Sequence, residues 1–323
     1  MRKYLNGADV PLSVAVFLAT DSYDYEEDTV SATALIKPVR QLVLAARVPE
    51  NLALVDIAGL FKSRMGTALH DGIEGAWLNN YKQAMKDLGY PNGLIKKVRV
   101  NPDPDTVEED DIAVYLEIRS YREIHGKKVS GKFDFVAQGR VEDFKSTSVF
   151  MYTKGTKDED FRLQGSIYRW LNPKIITEDE IAINYLLTDF MPARAANDPN
   201  YPKSPAPQRR IPLMPLEETE AFISNKLKLV EKYKDADEAD IPLCSDKDLW
   251  RSDTVWKYYA KEDAKRATKD FKTDRAAAYT HLTQKGKGIV KEIPGEVAAC
   301  KYCKAFPVCT QKDALIADGS LKL

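Results

Sequence analysis

Gly131-Lys-Phe-Asp134 is followed by Val141-Glu-Asp143-Phe-Lys145 and then by Gln164-Gly-Ser-Ile-Tyr168. This stretch decides how the chain is read. Alternation along a strand puts Val141, Asp143 and Lys145 on one face and Glu142 and Phe144 on the other, so Asp143 and Lys145 look into the same cleft. Helical patterning over 160 to 171 sets Gln164 and Tyr168 one turn apart, pointing the same way. Two carboxylates and a lysine on adjoining strands are the minimum kit for metal-assisted phosphodiester hydrolysis.

Upstream, period two persists from about 96 to 150, through Val98, Val100 and Ile112-Ala-Val-Tyr-Leu-Glu-Ile. After a turn at His125-Gly126 it continues from Val129 to Val149, so this region is a sheet. Before it, 56 to 88 reads as helix, and His70 and Glu74, four apart, share one of its faces. Ser31-Ala-Thr33 caps a helix running from Leu35 through Arg47, with Lys37, Arg40 and Arg47 on its polar side. Residues 1 to 30, acidic toward their end (Asp21, Asp24, Glu26, Glu27, Asp28), read as strand or loop.

Downstream, a strand covers Ile181 to Asp189. Residues 191 to 215 hold Pro192, Pro199, Pro202, Pro205, Pro207, Pro212 and Pro215, and read as a loop or arm. Helix resumes from Leu216 to about Asp235, and again through the basic segment Trp256 to Lys272. Four blocks result: 1–55 helical, 56–190 core, 191–215 proline-rich arm, and 216–323 helical with all the cysteines.

With 323 residues, 44% of them hydrophobic, the chain can bury a sizeable core. No apolar run approaches the roughly 20 residues that span a bilayer, and the start lacks the apolar stretch of a secretory signal, so a soluble intracellular protein is expected. A formal net charge of -1 excludes coating nucleic acid through overall charge, leaving local patches to make any such contact.

The four cysteines stand at 244, 300, 303 and 309. Cys300-Lys-Tyr-Cys303 followed by Cys309 gives three thiols at metal-ligand spacing, and Cys244 is the remaining candidate for a fourth ligand. In an intracellular protein this is a metal site, zinc or an iron–sulfur cluster, rather than disulfides. Its role is expected to be structural, pinning the chain against its core.

For the hydrolytic site, Asp134 and Asp143 are the metal anchors, and Lys145 orients the attacking water or stabilises developing charge. His70 and Glu74 complete the metal shell, the histidine adding manganese to magnesium as a fitting ion.

Taken together, His70 and Glu74 on a helix, Gly131-Lys-Phe-Asp134, Asp143-Phe-Lys145 and Gln164-x3-Tyr168 resemble the RecB-type nucleases of the PD-(D/E)XK superfamily. The run Cys300-x2-Cys303-x5-Cys309 looks like the iron–sulfur clasp of the AddB nuclease and of CRISPR-adaptation exonucleases. Pro242 to Ser245 and Trp250 are similar to segments of phage and prophage exonucleases in this group. The resemblance implies an α/β restriction-endonuclease-like core, a mixed sheet flanked by helices, with a C-terminal metal-cluster region. It implies that His70, Asp134, Asp143 and the Phe144 carbonyl ligate Mg2+ or Mn2+, that Lys145 is the catalytic lysine, and that Gln164 and Tyr168 brace the site and touch DNA. Glu74 is implied as a metal ligand, a water-mediated one or a support for His70. Cys244, Cys300, Cys303 and Cys309 would carry a [4Fe-4S] cluster or zinc. In clasped relatives the first cysteine commonly precedes the nuclease core, whereas Cys244 follows it.

The implied activity is a DNA exonuclease acting on linear ends in phage recombination or replication, in the cytoplasm of a bacterial host. An annealing or recombination protein, or further copies of the chain, are the implied partners. The other reading is a catalytically silent DNA-binding or assembly protein with the same fold and cluster. Candidate DNA contacts are Lys37, Arg40, Arg47, Arg209, Arg210, Lys261, Lys265, Arg266, Lys269 and Lys272, with Trp256, Tyr258 and Tyr259 available for base stacking.

Overall fold

The computed structural model describes residues 4–20, 26, 28–49 and 55–323. In chain order the first elements are β1 (Tyr4–Leu5), α1 (Leu12–Ala19), β2 (Thr29–Ser31), α2 (Ala32–Leu35), α3 (Val39–Ala45), β3 (Val55–Asp56), α4 (Phe61–Asp87) and α5 (Asn92–Lys97). A sheet-rich stretch follows, with β4 (Val98–Val100), β5 (Ile112–Leu116), β6 (Arg119–Ile124), β7 (Lys127–Lys132), β8 (Phe135–Ala137) and β9 (Arg140–Thr147). Then come α6 (Val149–Lys154), α7 (Asp158–Leu171), β10 (Glu180–Leu187), α8 (Pro192–Asn197), β11 (Gln208–Pro212) and α9 (Leu216–Tyr233). The remainder is β12 (Val255–Tyr259), β13 (Lys269–Asp270), α10 (Arg275–Lys285), β14 (Ile289–Ile293) and α11 (Thr310–Ala317).

The chain is mixed α/β, with several sheets flanked by helices, and packs as two compact units. One comprises Met1–Ile36 with Leu54–Lys228; the other comprises Lys37–Ala53 with Leu229–Leu323. The first unit is built on a six-stranded mixed sheet in the order β11-β10-β9-β8-β5-β4. β9 and β10 are parallel and joined through α6 and α7, as parallel neighbours require. β8 and β9 are antiparallel across a two-residue turn, Gln138-Gly139. A second sheet, β2-β7-β6, contains the β6–β7 hairpin, whose turn residues His125 and Gly126 both take positive φ as such tight turns demand. The chain passes from one sheet to the other between β7 and β8, at Phe133 and Asp134.

Helix α7 covers the sheet with an apolar face that includes Phe161, Ile167, Tyr168 and Leu171, beneath which lie Val129, Phe133, Val141, Ile181 and Ile183. Close approach of α7 to β7 depends on Gly131. A Cβ there would stand 2.7 Å from Leu171 Cδ1 and 3.0 Å from the Tyr168 ring.

In the second unit, Val43 and Leu44 of α3 are buried with Ile241 and Ala305. Arg47 donates to the carbonyls of Tyr233, Lys234 and Ala236, supplying partners to groups at the end of α9. A separate three-stranded sheet, β13-β12-β14, packs against α10.

Several sequence expectations are corrected. The helix read over Leu35–Arg47 is two helices, because Pro38 lacks an N–H and stands as the N-cap of α3. The N-terminal segment read as strand or loop contains α1, while Asp21, Asp24 and Glu27 lie outside the described residues. The proline-rich stretch is not wholly loop: Pro192 opens α8, where its missing N–H is harmless, and β11 forms the sheet edge, where Pro212 is tolerated. The basic segment Trp256–Lys272 is a β-hairpin with a long connection, not a helix. Its Val-Trp-Lys-Tyr-Tyr run is β-branched and aromatic, and Trp256 and Tyr258 pack on Tyr279 and His281 of α10.

Replacing Gly131 with alanine forces the Leu171 and Tyr168 side chains to give way. We expect a loss of about 1–3 kcal/mol in chemical denaturation, against little change for Gly72→Ala on α4, where a Cβ meets nothing within 4 Å.

Candidate active site and cysteine centre

β8 begins at Phe135, opposite Glu142 of β9, so two residues further along that edge Phe144 has no strand partner on the β8 side. Side chains take the vacant ladder positions. The Phe144 N–H donates to Asp134 Oδ2 at 3.1 Å, and the Phe144 carbonyl lies 3.0 Å from His70 Nε2. The other imidazole nitrogen, Nδ1, is 3.4 Å from Asp134 Oδ2. The bend between β7 and β8 thus aims Asp134 at the peptide of β9, and α4 delivers His70 to both.

On the opposite course of β9, alternation turns Asp143 and Lys145 to one face, with Lys145 Nζ 2.7 Å from Asp143 Oδ2. Asp143 is buried at 1% exposure, and its Oδ1 accepts from Gln164 Nε2 at 3.1 Å. Gln164 Nε2 also donates to the Tyr168 hydroxyl at 2.8 Å. Oδ2 has the lysine charge beside it but no well-directed hydrogen bond, which leaves lone-pair capacity aimed at the site. Glu142 faces away, accepting from Asn184 and Arg140, while the Phe144 ring packs against Phe135.

Burial pushes the Asp143 carboxyl up to about 6, and Lys145 only partly opposes it. Burial also works against ionisation of Asp134, but His70 and Lys145 outweigh it and hold this carboxyl below its ordinary range. The Asp134 hydrogen bond raises His70, and burial raises Glu117 despite its pairing with Lys132. Clustered, partly desolvated carboxylates of this kind carry a strain that a divalent cation relieves.

One acidic residue was missed by the sequence reading. Glu117 follows the last residue of β5, and its carboxylate, His70 and Asp134 bring ligand atoms within 4.8 Å of one another. Glu74 and Asp143 stay outside this group, although Glu117 feels the charge of Glu74 and Asp143 that of Asp134. The available signal was an acid ending the apolar run Ile112–Leu116. Its backbone takes φ 51°, and its N–H bonds the Asp134 carbonyl at 3.1 Å, fixing it beside the bend.

The four cysteines are free thiols lining one cavity of about 40 Å3 in the second unit, together with Arg40, Asp248 and Gln311. Gln311 clamps Cys244 by donating to its carbonyl and accepting from its N–H, both at 2.9 Å. Burial pushes the Cys244 thiol up to about 12 and raises Cys300 and Cys303. Thiols that converge yet ionise poorly fit a bound metal, whose charge makes thiolates favourable.

The candidate nucleic-acid contacts divide. Arg40 is buried and Arg47 is committed to carbonyls, so neither forms the exposed polar face of a helix. Arg209 is engaged by Asp158 and the Tyr152 carbonyl, and Arg210 by Glu180. Lys261, Lys265, Arg266, Lys269 and Lys272 are exposed on the β12–β13 hairpin and its flanks. Of the aromatics, Trp256 and Tyr258 pack on α10, while Lys291 lies over the Tyr259 ring at 4.9 Å.

If Glu117 is a ligand, Glu117→Gln weakens Mn2+ binding about tenfold or more by isothermal titration, with a smaller effect from Glu74→Gln.

No protein-family profile and no curated protein matches the chain. Among solved structures, one titled "Crystal structure of SSO0001" is similar over 64% of this chain and 79% of its own, at 17% identity and a TM-score of 0.39. A likeness at that level carries no argument about activity.

Proposed function

We propose that this chain is a metal-dependent deoxyribonuclease of the RecB-like PD-(D/E)XK type, an exonuclease hydrolysing phosphodiester bonds at DNA ends. The observation that carries this reading is the convergence of three separated sequence motifs on the strand that bears the fourth. His70 and Asp134 meet at the Phe144 peptide, and Gln164 meets Asp143 beside Lys145.

His70, Asp134, Asp143, the Phe144 carbonyl and Glu117 are the residues that would hold Mg2+ or Mn2+. Such an ion supplies a water acidic enough to be a nucleophile at neutral pH and neutralises charge on the scissile phosphate. Lys145, held by Asp143, directs an ammonium N–H toward the attacking water or the phosphate oxygens. Gln164 fixes the Asp143 carboxylate, and Tyr168 in turn accepts from Gln164, so the acid keeps its orientation while its free lone pairs remain available.

Cys244, Cys300, Cys303 and Cys309 would hold a [4Fe-4S] cluster. Anaerobically purified protein is then brown, absorbing near roughly 400 nm, and Cys303→Ser bleaches it. A colourless protein retaining zinc would reject the cluster.

The decisive assay uses linear duplex and single-stranded DNA labelled separately at each end, with Mg2+ or Mn2+. Lys145→Ala and Asp143→Asn lower the cleavage rate about 10²–10³-fold, while Glu142→Gln stays within a few-fold of wild type. If wild-type protein binds DNA but leaves every substrate intact, the silent assembly protein is the better reading.

A further inference from the structure

Arg40 of α3 is 2% exposed and lines the cysteine cavity. Its Nε–H donates to Cys309 Sγ at 3.4 Å. Nη1 donates to the carbonyls of Glu238 at 3.1 Å and Ile241 at 3.0 Å. Nη2 bonds the Glu238 carboxylate and approaches Thr310 Oγ1 at 3.5 Å. Glu238 is fixed in turn, accepting from the Thr310 N–H at 2.7 Å and its hydroxyl at 2.9 Å. The planar guanidinium is therefore held on every side, and its Nε–H cannot turn from the sulfur.

We propose that Arg40 tunes the reduction potential of the metal centre by hydrogen bonding to the Cys309 sulfur, a role that rests on the iron–sulfur reading above. A neutral thiol is a weak acceptor and gives a buried N–H little, whereas a thiolate ligand accepts a charge-assisted bond. Glu238 already balances the guanidinium charge, so the directed N–H, rather than net charge, is what the sulfur feels. Were the four thiolates to hold a cluster, one electron from an external reductant would add one negative charge there, with no bond formed or broken. A donor fixed on sulfur stabilises that more negative state and raises the potential. Arg40 is thus a positioning and tuning residue that ligates no metal.

The test is a dithionite titration of anaerobic full-length protein, followed by electron paramagnetic resonance alongside iron and zinc analysis. In Arg40→Gln and Arg40→Lys with full iron content, the reduced-to-oxidised ratio at fixed potential falls about tenfold, a downward shift of about 59 mV for a one-electron couple. Lysine fails to rescue because it keeps charge without the Nε–H. Full iron with an unchanged potential overturns the proposal. Should both variants lose iron, wild-type protein labelled with 15N-arginine decides the matter. A nitrogen coupling to the reduced cluster in electron–nuclear double resonance supports it, and no coupling overturns it. Wild-type protein that is colourless and carries zinc instead rejects the cluster reading itself, and this proposal with it.

Discussion

The peptide group of Phe144 is where the first unit's sheet becomes a site. A strand edge with unpaired N–H and C=O groups is costly when sheltered from water, so something must take the positions β8 vacates. Asp134 and His70 do so, and one peptide thereby ties the β7–β8 bend, α4 and β9 together. The carboxylate that satisfies the backbone is the one available to a cation, and the imidazole that caps the carbonyl is its neighbour. Backbone satisfaction and ligand placement are one arrangement.

A second line runs from Gly131. Its missing Cβ lets the Tyr168 ring settle on β7, which brings the hydroxyl to Gln164 and Gln164 to Asp143. The glycine, the tyrosine, the glutamine and the aspartate are spread over more than thirty residues of sequence, yet each fixes the next. The burial that orients Asp143 also makes it reluctant to ionise, and Lys145 offsets only part of that reluctance.

Where periodicity was unbroken, the sequence was a good guide. The facing of Asp143 and Lys145, the Gln164–Tyr168 pair, the hairpin turn at His125-Gly126 and the long helix bearing His70 follow from local geometry alone. Glu117 was not legible, because its membership depends on a bend between two sheets that brings β5 beside Asp134. Arg40 is hidden from the sequence for a related reason: local pattern places an arginine of a short amphipathic helix toward solvent, and only distant partners at 238, 241 and 309 make it interior. The β12 hairpin patterns as helix only while its spaced lysines are weighed as a polar face; the β-branched and aromatic Val-Trp-Lys-Tyr-Tyr run suits a pleated surface and prevails.

The second unit is discontinuous: Lys37–Ala53 belongs with Leu229–Leu323. Arg40 meets Cys309 across a sequence separation of 269 residues. During synthesis α3 therefore emerges long before anything it packs against, and its buried guanidinium must stay hydrated until the distant chain arrives. Contacts of such span form slowly, since the loop entropy is spent before they reward it. Closure of this unit is consequently a late event in folding, and Arg40 can reach Cys309 only after the intervening chain, from α4 to α9, has been made.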